Sequence, residues 1–396
     1  MRRLIVLAVL ATITVIIGCA SAGTPPGGPE RKEPPQIIAI SPDSATTGVK
    51  VREVEFKFDE VVSDRPSGQS VSQLDQLFLI SPRDGAPNVG WHRSRITVRP
   101  RKGFRPNTAY RVTMLPGLAD LRGNVRKDAA TVLFSTGGSF PPFNIVGRVF
   151  DWTAGRPANG AYIEAISRAD TTLVFVAATD SVGQFEVGPL AAGTYLLRGL
   201  IDANSNRAVD RNEKWDSTTV VVATTSPSME LDAIERDSVP PVFDNITLDD
   251  SVHLRITFDK PLMIGTQLTP AMLSIKKSDS SVVPISGLDF AAAFDRARVA
   301  RDSAHHADSL KADSASRRLI ARPAPPAAIA TPGGPRPAPP PPKPKSPAPE
   351  RGIIVTVATP LIVNATYRIS GTGFKNLVGN ARDATRSFTV PKPTPK

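Results

Sequence analysis

Hydrophobic and polar residues alternate with a period of two in short runs along most of the chain. The runs at residues 54–58, 95–99 and 110–114 are the plainest examples. Such alternation places every second side chain on one face of a β-strand, so that one face can be buried while the other is solvated. Turn residues separate the runs at spacings typical of a β-sandwich. The pattern therefore predicts an all-β chain.

Proline pairs divide this sequence into three parts. They lie at residues 34–35, 141–142 and 240–241, and the alternation resumes after each pair. Proline has no backbone N–H and blocks a helix, which makes such a pair a stiff joint between β modules. We predict three tandem β-sandwiches, a first, a middle and a third module, at residues 34–138, 141–236 and 239–392.

The third module repeats the first in four places and in the same order. The matches are residues 54–59 (VEFKFD) with 254–259 (LRITFD), 107–112 (NTAYRV) with 364–369 (NATYRI), 121–124 (LRGN) with 377–380 (LVGN), and Phe134 with Phe388. Four ordered matches indicate an internal repeat. The first and third modules should therefore share one fold.

The first module resembles the bacterial Ig-like domain first described in S-layer proteins. The stretches that carry the resemblance are residues 34–42, 56–60, 104–112 and 120–124. It covers nearly all of the first module and, less cleanly, the third, where Asn376 stands in place of Asp120. The resemblance implies an Ig-like β-sandwich in both modules and says little about a ligand. In the first module we expect Asn124 to adopt the left-handed conformation in a turn.

The middle module has a different β pattern, which resembles the carboxypeptidase regulatory-like (transthyretin-like) domain. The resemblance rests on the order of the segments at residues 145–149, 157–165, 179–185 and 190–197. It implies that an Asp and a Gly within residues 180–183 form a tight turn and that Phe and Tyr side chains fill the core. That domain has no peptidase chemistry, and no metallopeptidase domain lies beside it in this chain.

An insertion interrupts the third module, because the alternation stops at residues 291–351. Residues 295–319 are rich in Ala, Arg, Asp and Ser and predict a polar helix that is marginal in isolation. Residues 323–349 are rich in Ala and Pro, a composition that favours extended polyproline II. The entropic cost of closing a loop grows only with the logarithm of its length, so a sandwich tolerates such an insertion. We expect a disordered Pro-rich excursion between two strands.

The amino-terminal segment is typical of an export signal. Arg2 and Arg3 precede an apolar run at residues 4–17, which is shorter than the roughly 20 residues needed to span a bilayer. The run ends at residues 16–19 (IIGC), which resemble the lipobox of bacterial lipoproteins. The alternative is an ordinary secreted protein whose cysteine lies near its cleavage site.

The lipobox resemblance implies a lipid anchor. Residues 1–18 would be removed as a signal peptide, and Cys19 would carry a diacylglycerol on its thiol and an acyl chain such as palmitate on its amino group. Two or more acyl chains bury enough CH2 groups to hold a protein stably at a membrane. Ala20 occupies the position at which an aspartate retains such proteins at the inner membrane, so the outer membrane is favoured. Whether the protein faces the periplasm or the cell surface stays undecided. Residues 19–33 would be a flexible tether.

Composition narrows the classes of function. The 396 residues include one cysteine and four histidines, and the net charge is +11. Seven of the 48 basic residues lie in the signal peptide, the tether and the Pro-rich stretch, with no aromatic residues interleaved. Solvation and weak attraction to anionic surfaces therefore explain the charge better than nucleic-acid binding. No nucleophile elbow, phosphate-binding loop or zinc spacing is present, so we expect no enzyme and no required cofactor.

One loop could bind calcium. Residues 202–213 place oxygen-bearing side chains at the spacing of an EF-hand or dockerin loop, namely Asp202, Asn204, Asn206, Asp210 and Glu213. Two departures count against calcium: Arg207 occupies the position of the usual glycine, and the flanking sequences predict strands instead of helices. The alternative is a polar loop in which Asp and Asn side chains stabilise their own turns.

Two tryptophans of the middle module could contact a sugar. Trp152 and Trp215 would supply aromatic faces for a carbohydrate, with ordinary packing as the alternative. The leading hypothesis is a non-enzymatic, lipid-anchored protein of the cell envelope with a structural or protein-interaction role, whose partners are the membrane and another envelope component. The competing hypothesis is a surface lipoprotein that binds polysaccharide through the middle module.

Overall fold

The computed structural model describes residues 32–66, 73–317 and 345–392. Over these ranges the protein is nearly all β, built as tandem β-sandwiches with one long helix, as the alternation predicts. The side chains of residues 305–317 are outside this description. The predicted signal peptide and Cys19 also lie outside the described residues.

The first module is a sandwich of two antiparallel sheets. In spatial order, one sheet contains β1 (Ile37–Ser41), β2 (Val54–Phe58), β5 (Arg95–Arg99) and β4 (Asn88–Trp91), and the other contains β3 (Phe78–Ser81), β6 (Ala109–Met114) and β7 (Ala130–Ser135). Phe56, Phe78 and Phe134 are fully buried between the sheets. The alternation in β2 accounts for this core, because Val54, Phe56 and Phe58 point inward while Glu55 and Lys57 do not.

The middle module is an eight-stranded sheet that folds over on itself. Its order is β11 (Val174–Ala178), β10 (Tyr162–Ser167), β13 (Gly193–Ile201), β14 (Lys214–Val222), β15 (Ser228–Glu235), β8 (Phe143–Asp151) and β12 (Gln184–Leu190), with β9 (Arg156–Pro157) paired to β8. Strands β15 and β8 run parallel over six residue pairs, whereas the other pairs are antiparallel.

The turn and core of the middle module agree with the roles that the resemblance implies. The Asp180 carboxylate accepts hydrogen bonds from the amides of Val182 (3.0 Å) and Gln184 (2.8 Å). Gly183 has a φ of +74°, and a Cβ there would lie 2.7 Å from the carbonyl oxygen of Val149. Within the core, Phe185 and Tyr195 are both buried.

The third module repeats the strand order of the first. Its sheets contain β16 (Phe243–Leu248), β17 (His253–Phe258), β21 (Gly352–Val357) and β20 (Ile285–Phe290), and β19 (Val282–Val283), β18 (Leu273–Lys277), β22 (Thr366–Gly371) and β23 (Ala384–Thr389). Strand β19 is an addition without a counterpart among the described strands of the first module. The predicted internal repeat is confirmed.

The match extends to individual hydrogen bonds. The hydroxyl of Tyr110 accepts a hydrogen bond from the amide of Arg105 at 2.7 Å, and the hydroxyl of Tyr367 accepts one from the amide of Ile362 at 3.0 Å. Both tyrosines lie five residues after their donor and pair with a phenylalanine of the next strand.

The insertion begins with helix α1 (Ala291–Arg317), directly after β20. Strands β20 and β21 correspond to the hairpin β4–β5 of the first module, which needs only residues 92–94 as a turn. Arg255 holds the start of α1, because its guanidinium donates to Asp295 at 2.8 and 3.1 Å and to Asp249 at 2.6 and 3.0 Å. The predicted polar helix is confirmed and starts four residues earlier. This part of the insertion is therefore structured where disorder was expected, and residues 318–344 lie outside the description.

Replacing Tyr110 or Tyr367 by Phe should destabilise the module that contains it. Each change leaves a partly buried backbone N–H without its acceptor, at a cost of about 1–2 kcal/mol. We expect a lower urea-unfolding midpoint for the affected module in each variant. Thr385→Val, which removes an exposed 3.3 Å contact to Ser370, is the control and should leave the midpoint unchanged. Unchanged midpoints in both Tyr variants would contradict the equivalence of these contacts.

Candidate functional site

The first and middle modules meet edge to edge at strands β3 and β11. The amide of Arg83 donates to the carbonyl oxygen of Val174 at 2.8 Å, and the amide of Val176 donates to the Ser81 hydroxyl at 2.9 Å. The first bond belongs to an isolated antiparallel bridge between the two sheets, and the second uses a side-chain hydroxyl. The junction is therefore a packed interface, whereas the proline pair predicted only a stiff joint.

A buried carboxylate lies beside this junction. Glu164 is 1% exposed, and its Oε1 lies 2.6 Å from the Arg83 guanidinium of the first module. Its Oε2 accepts a hydrogen bond from Nε of Arg198 at 3.0 Å and also contacts Nη2 of that arginine. One carboxylate thus pairs with an arginine from each module, and the energy of these ion pairs depends on the contact between the modules.

An apolar cluster surrounds the carboxylate. Leu79 of the first module packs against Tyr162, Val176 and Leu200 of the middle module. Burial raises the pKa of the Tyr162 hydroxyl, which has no hydrogen-bond partner among the described residues. No local sequence pattern points to this cluster, because its members come from four strands of two modules.

Arg207 binds the first module, a role that its position in the calcium-loop pattern does not indicate. Its Nη2 donates to the carbonyl oxygens of Gln76 (2.8 Å) and Phe78 (2.9 Å), at the end of a short 3-10 helix, Leu74–Leu77, in the first module. Gln76 belongs to that helix, and Phe78 is the first residue of β3. Burial lowers the pKa of the Arg207 guanidinium. The arginine that departs from the calcium-loop pattern therefore holds two modules together.

The structure brings the five predicted calcium ligands into one loop, where they bond to one another and to the backbone. Oδ2 of Asp210 accepts from the side-chain amides of Asn204 (2.7 Å) and Asn206 (2.9 Å). The Glu213 carboxylate accepts from the amides of Ala203 (2.9 Å) and Asp210 (3.2 Å). Asp202, the remaining member, accepts from the backbone amide of Arg207 at 2.8 Å. The alternative of a self-stabilised polar loop accounts for these contacts, and calcium binding stays a prediction.

Within residues 32–66, 73–304 and 345–392, no three His, Cys, Asp or Glu side chains form a group that could hold a metal ion. No helix in those ranges has the length and apolar character needed to cross a membrane.

The two tryptophans proposed for sugar binding are both partly buried and engaged with other groups. Trp152 donates its indole N–H to the carbonyl oxygen of Pro347 at 3.1 Å. The guanidinium carbon of Arg236 lies 4.2 Å from the ring centroid of Trp215, a cation–π distance. Carbohydrate binding at these residues stays a prediction.

The middle and third modules are joined through Asp237. Its carboxylate contacts Nζ of Lys260 and accepts a hydrogen bond from the amide of Val239 at 2.7 Å. The side-chain amide of Asn376 donates to the carbonyl oxygens of Asp237 (2.7 Å) and Val239 (3.1 Å). The hydrogen bond from Lys260 and that from the Val239 amide lower the pKa of Asp237.

The change from Asp120 in the first repeat to Asn376 in the third now has a physical reason. Both side chains accept hydrogen bonds from the backbone of their own loop, at 2.8 Å to the Asn124 amide and 2.9 Å to the Asn380 amide. Only an amide can also donate, and Asn376 uses this capacity to bind the linker. The expected left-handed Asn124 is wrong, because Gly123 takes that conformation with a φ of +88°.

A groove of about 1450 Å³, lined by both polar and apolar side chains, opens between the first and middle modules. Arg111 and Thr113 of β6 line one side, and Arg148 of β8 and Glu186 of β12 line the other. Arg111 and Glu186 form an ion pair of 2.8 Å across it. Charged and hydroxyl side chains of two modules thus face the same space.

Comparisons with known proteins identify the fold of the first module. Residues 31–136 match the family model of the bacterial Ig-like domain. No curated protein matches the chain.

Similar solved structures include parts of a bacterial S-layer protein and a domain of a biofilm-associated protein. The N-terminal part of the bacterial S-layer protein SbsC is 14% identical, with a TM-score of 0.20, over 47% of this chain and 40% of that one. Domains 1–6 of SbsC are 10% identical, with a TM-score of 0.19, over 91% and 55%. The BSP domain of a biofilm-associated protein is 9% identical, with a TM-score of 0.17, over 93% and 68%. The chain thus spans about half, or less, of the length of the S-layer structures.

Glu164→Ala should destabilise the junction of the first and middle modules. The change leaves Arg83 and Arg198 without their shared carboxylate, and we expect a loss of about 1–3 kcal/mol in the free energy of unfolding. Differential scanning calorimetry measures it. Glu186→Ala is the matched control, because Glu186 pairs with Arg111 across the same two modules but is 47% exposed, and such a pair contributes about 0–1 kcal/mol. Equal losses would contradict a special role for Glu164.

The contribution of Asp237 should depend on pH. The pKa of Asp237 is lowered in the folded protein from its ordinary value of 3.8, so the carboxylate stabilises the fold above that pH. This contribution is lost as the pH falls through the lowered folded value. We expect Asp237→Asn to be less stable than the unmodified chain at pH 7, with the difference shrinking below pH 3.8. A difference that is constant from pH 7 to pH 3, measured by thermal unfolding, would refute this assignment.

Proposed function

We propose that this chain is a non-enzymatic structural protein of the bacterial cell envelope, anchored to the outer membrane by lipid on Cys19. The observation that carries the proposal is the construction of both junctions. Arg207 and Asn376 each donate side-chain hydrogen bonds to backbone carbonyls of a neighbouring segment, beside the ion pairs of Glu164 and Asp237. Contacts of this kind suit a spacer that holds its modules in a set order between its anchor and another envelope component.

The comparisons support the proposal at the level of the fold. The bacterial Ig-like match at residues 31–136 fits a protein of the cell surface. The lipid anchor rests on the sequence at residues 16–19 and on Ala20. We further propose that the middle module is a carboxypeptidase regulatory-like (transthyretin-like) sandwich, which the Asp180 turn and the buried Tyr195 support.

Polysaccharide binding is a second proposal. The groove between the first and middle modules supports it, because hydroxyl and charged side chains line both of its walls. These groups match the donors and acceptors of a sugar chain.

The anchor is tested by labelling cells with radioactive palmitate. We expect the label in the unmodified protein and its loss in Cys19→Ala, since Cys19 is the single cysteine. The Cys19→Ala protein should also leave the membrane fraction on sedimentation. Ser21→Ala is the control and should keep both label and membrane association. A Cys19→Ala protein that still takes up palmitate, or still sediments with membranes, would refute the anchor.

A further inference from the structure

Four exposed apolar side chains lie together where the middle module meets the third. They are Val239, Met263, Ile264 and Val378, each between 38% and 42% exposed, and we call them the junction patch. The backbone brings them together. Asn376 bonds to the carbonyl of Val239 and to the amide of Val378, and the amide of Met263 donates to the carbonyl of Lys375 at 2.9 Å.

The fold itself does not require apolar residues at these positions. In the first module the same backbone bonds recur, from the amide of Ser63 to the carbonyl of Ala119 at 2.8 Å and from the amide of Arg122 to the carboxylate of Asp120 at 2.8 Å. The residues equivalent to the junction patch are all polar there, namely Glu33, Ser63, Asp64 and Arg122. At four neighbouring positions the third module thus has apolar residues where the first module has polar ones. Such a difference indicates that another group covers this surface of the third module.

The size of the junction patch limits what covers it. A stable interface between two globular proteins buries about 800 Å² on each partner. Four side chains that are each between 38% and 42% exposed offer far less surface area. A short extended segment fits better.

One such segment is attached beside the junction patch. The amide of Leu262, the neighbour of Met263, donates to the carbonyl oxygen of Glu350 at 2.8 Å. From there the chain runs back along the middle module, where Pro347 accepts the Trp152 indole N–H and the amide of Lys345 donates to Glu230 at 2.7 Å. Residues 318–344, composed mostly of Pro and Ala, connect this stretch to α1.

We propose that the junction patch is the docking site of the chain's own Pro- and Ala-rich segment, residues 318–344. Segments of this composition lose little entropy on binding and dock against aromatic and apolar surfaces. The bond from Trp152 to Pro347 shows this mode of contact at the flank of the same segment. Attachment at both ends also gives the segment a high effective concentration at the site. The proposal does not depend on the lipid anchor.

Oxidation of methionine by dilute peroxide tests the proposal. The chain from Ala20 to Lys396 is compared with a variant in which a Gly-Ser sequence of equal length replaces residues 318–344. We expect Met263 to oxidise several-fold faster in the variant, because docking shields its thioether. Met229 and Met272 are partly buried elsewhere and serve as internal controls. Equal Met263 rates in the two proteins would overturn the proposal.

A synthetic peptide of residues 318–349 provides the second arm. Added to the Gly-Ser variant, it should restore the slow oxidation of Met263. Ile264→Ser should abolish this effect, whereas Val282→Ser, at an exposed valine of the same module, should not. If Met263 in the Gly-Ser variant is shielded only as the protein concentration rises, a second copy covers the junction patch and the proposal is wrong.

Discussion

The contact between the end of β3 and strand β11 is the interaction on which the arrangement of the first two modules depends. It joins two sheets through the bond from Arg83 to Val174 and covers part of two strand edges that would otherwise be open to other chains. Glu164 reaches Arg83, and Arg207 reaches the carbonyl of Gln76, because this contact brings the modules together. The orientation of the first module therefore follows from strand geometry more than from the proline pair that precedes the middle module.

The third module shows what the same strand looks like without such a neighbour. Strand β18 corresponds to β3, and Ser274 and Lys276 take the places of Leu79 and Ser81. Leu79 packs into the apolar cluster of the junction, and Ser81 accepts a bond from the middle module. Polar residues at the equivalent positions suit a strand whose outer edge is bordered only by the short β19, since lysine on such an edge discourages further pairing.

Local sequence patterns predicted the modules, but they did not predict the contacts between modules. The alternation around Phe56 and Phe58 predicted a strand, and the match of Tyr110 with Tyr367 indicated the internal repeat. Both signals lie within a few residues of sequence. Arg207 was interpreted as a defect in a calcium loop, since its partner carbonyls lie about 130 residues earlier in the chain. The contact between Trp152 and Pro347 spans 195 residues and has no local signature. Periodicity reports which face of a strand is buried and not which module buries it.

The parallel pairing of β8 and β15 has a mechanical consequence for a protein held at one end. These are the first and last strands of the middle module, and six residue pairs connect them side by side. A force that pulls the two ends of the module apart acts along these strands in opposite directions. The hydrogen bonds between them are then loaded in shear and must fail together, whereas strands peeled from one end would open one bond at a time. The middle module is thus built to transmit tension.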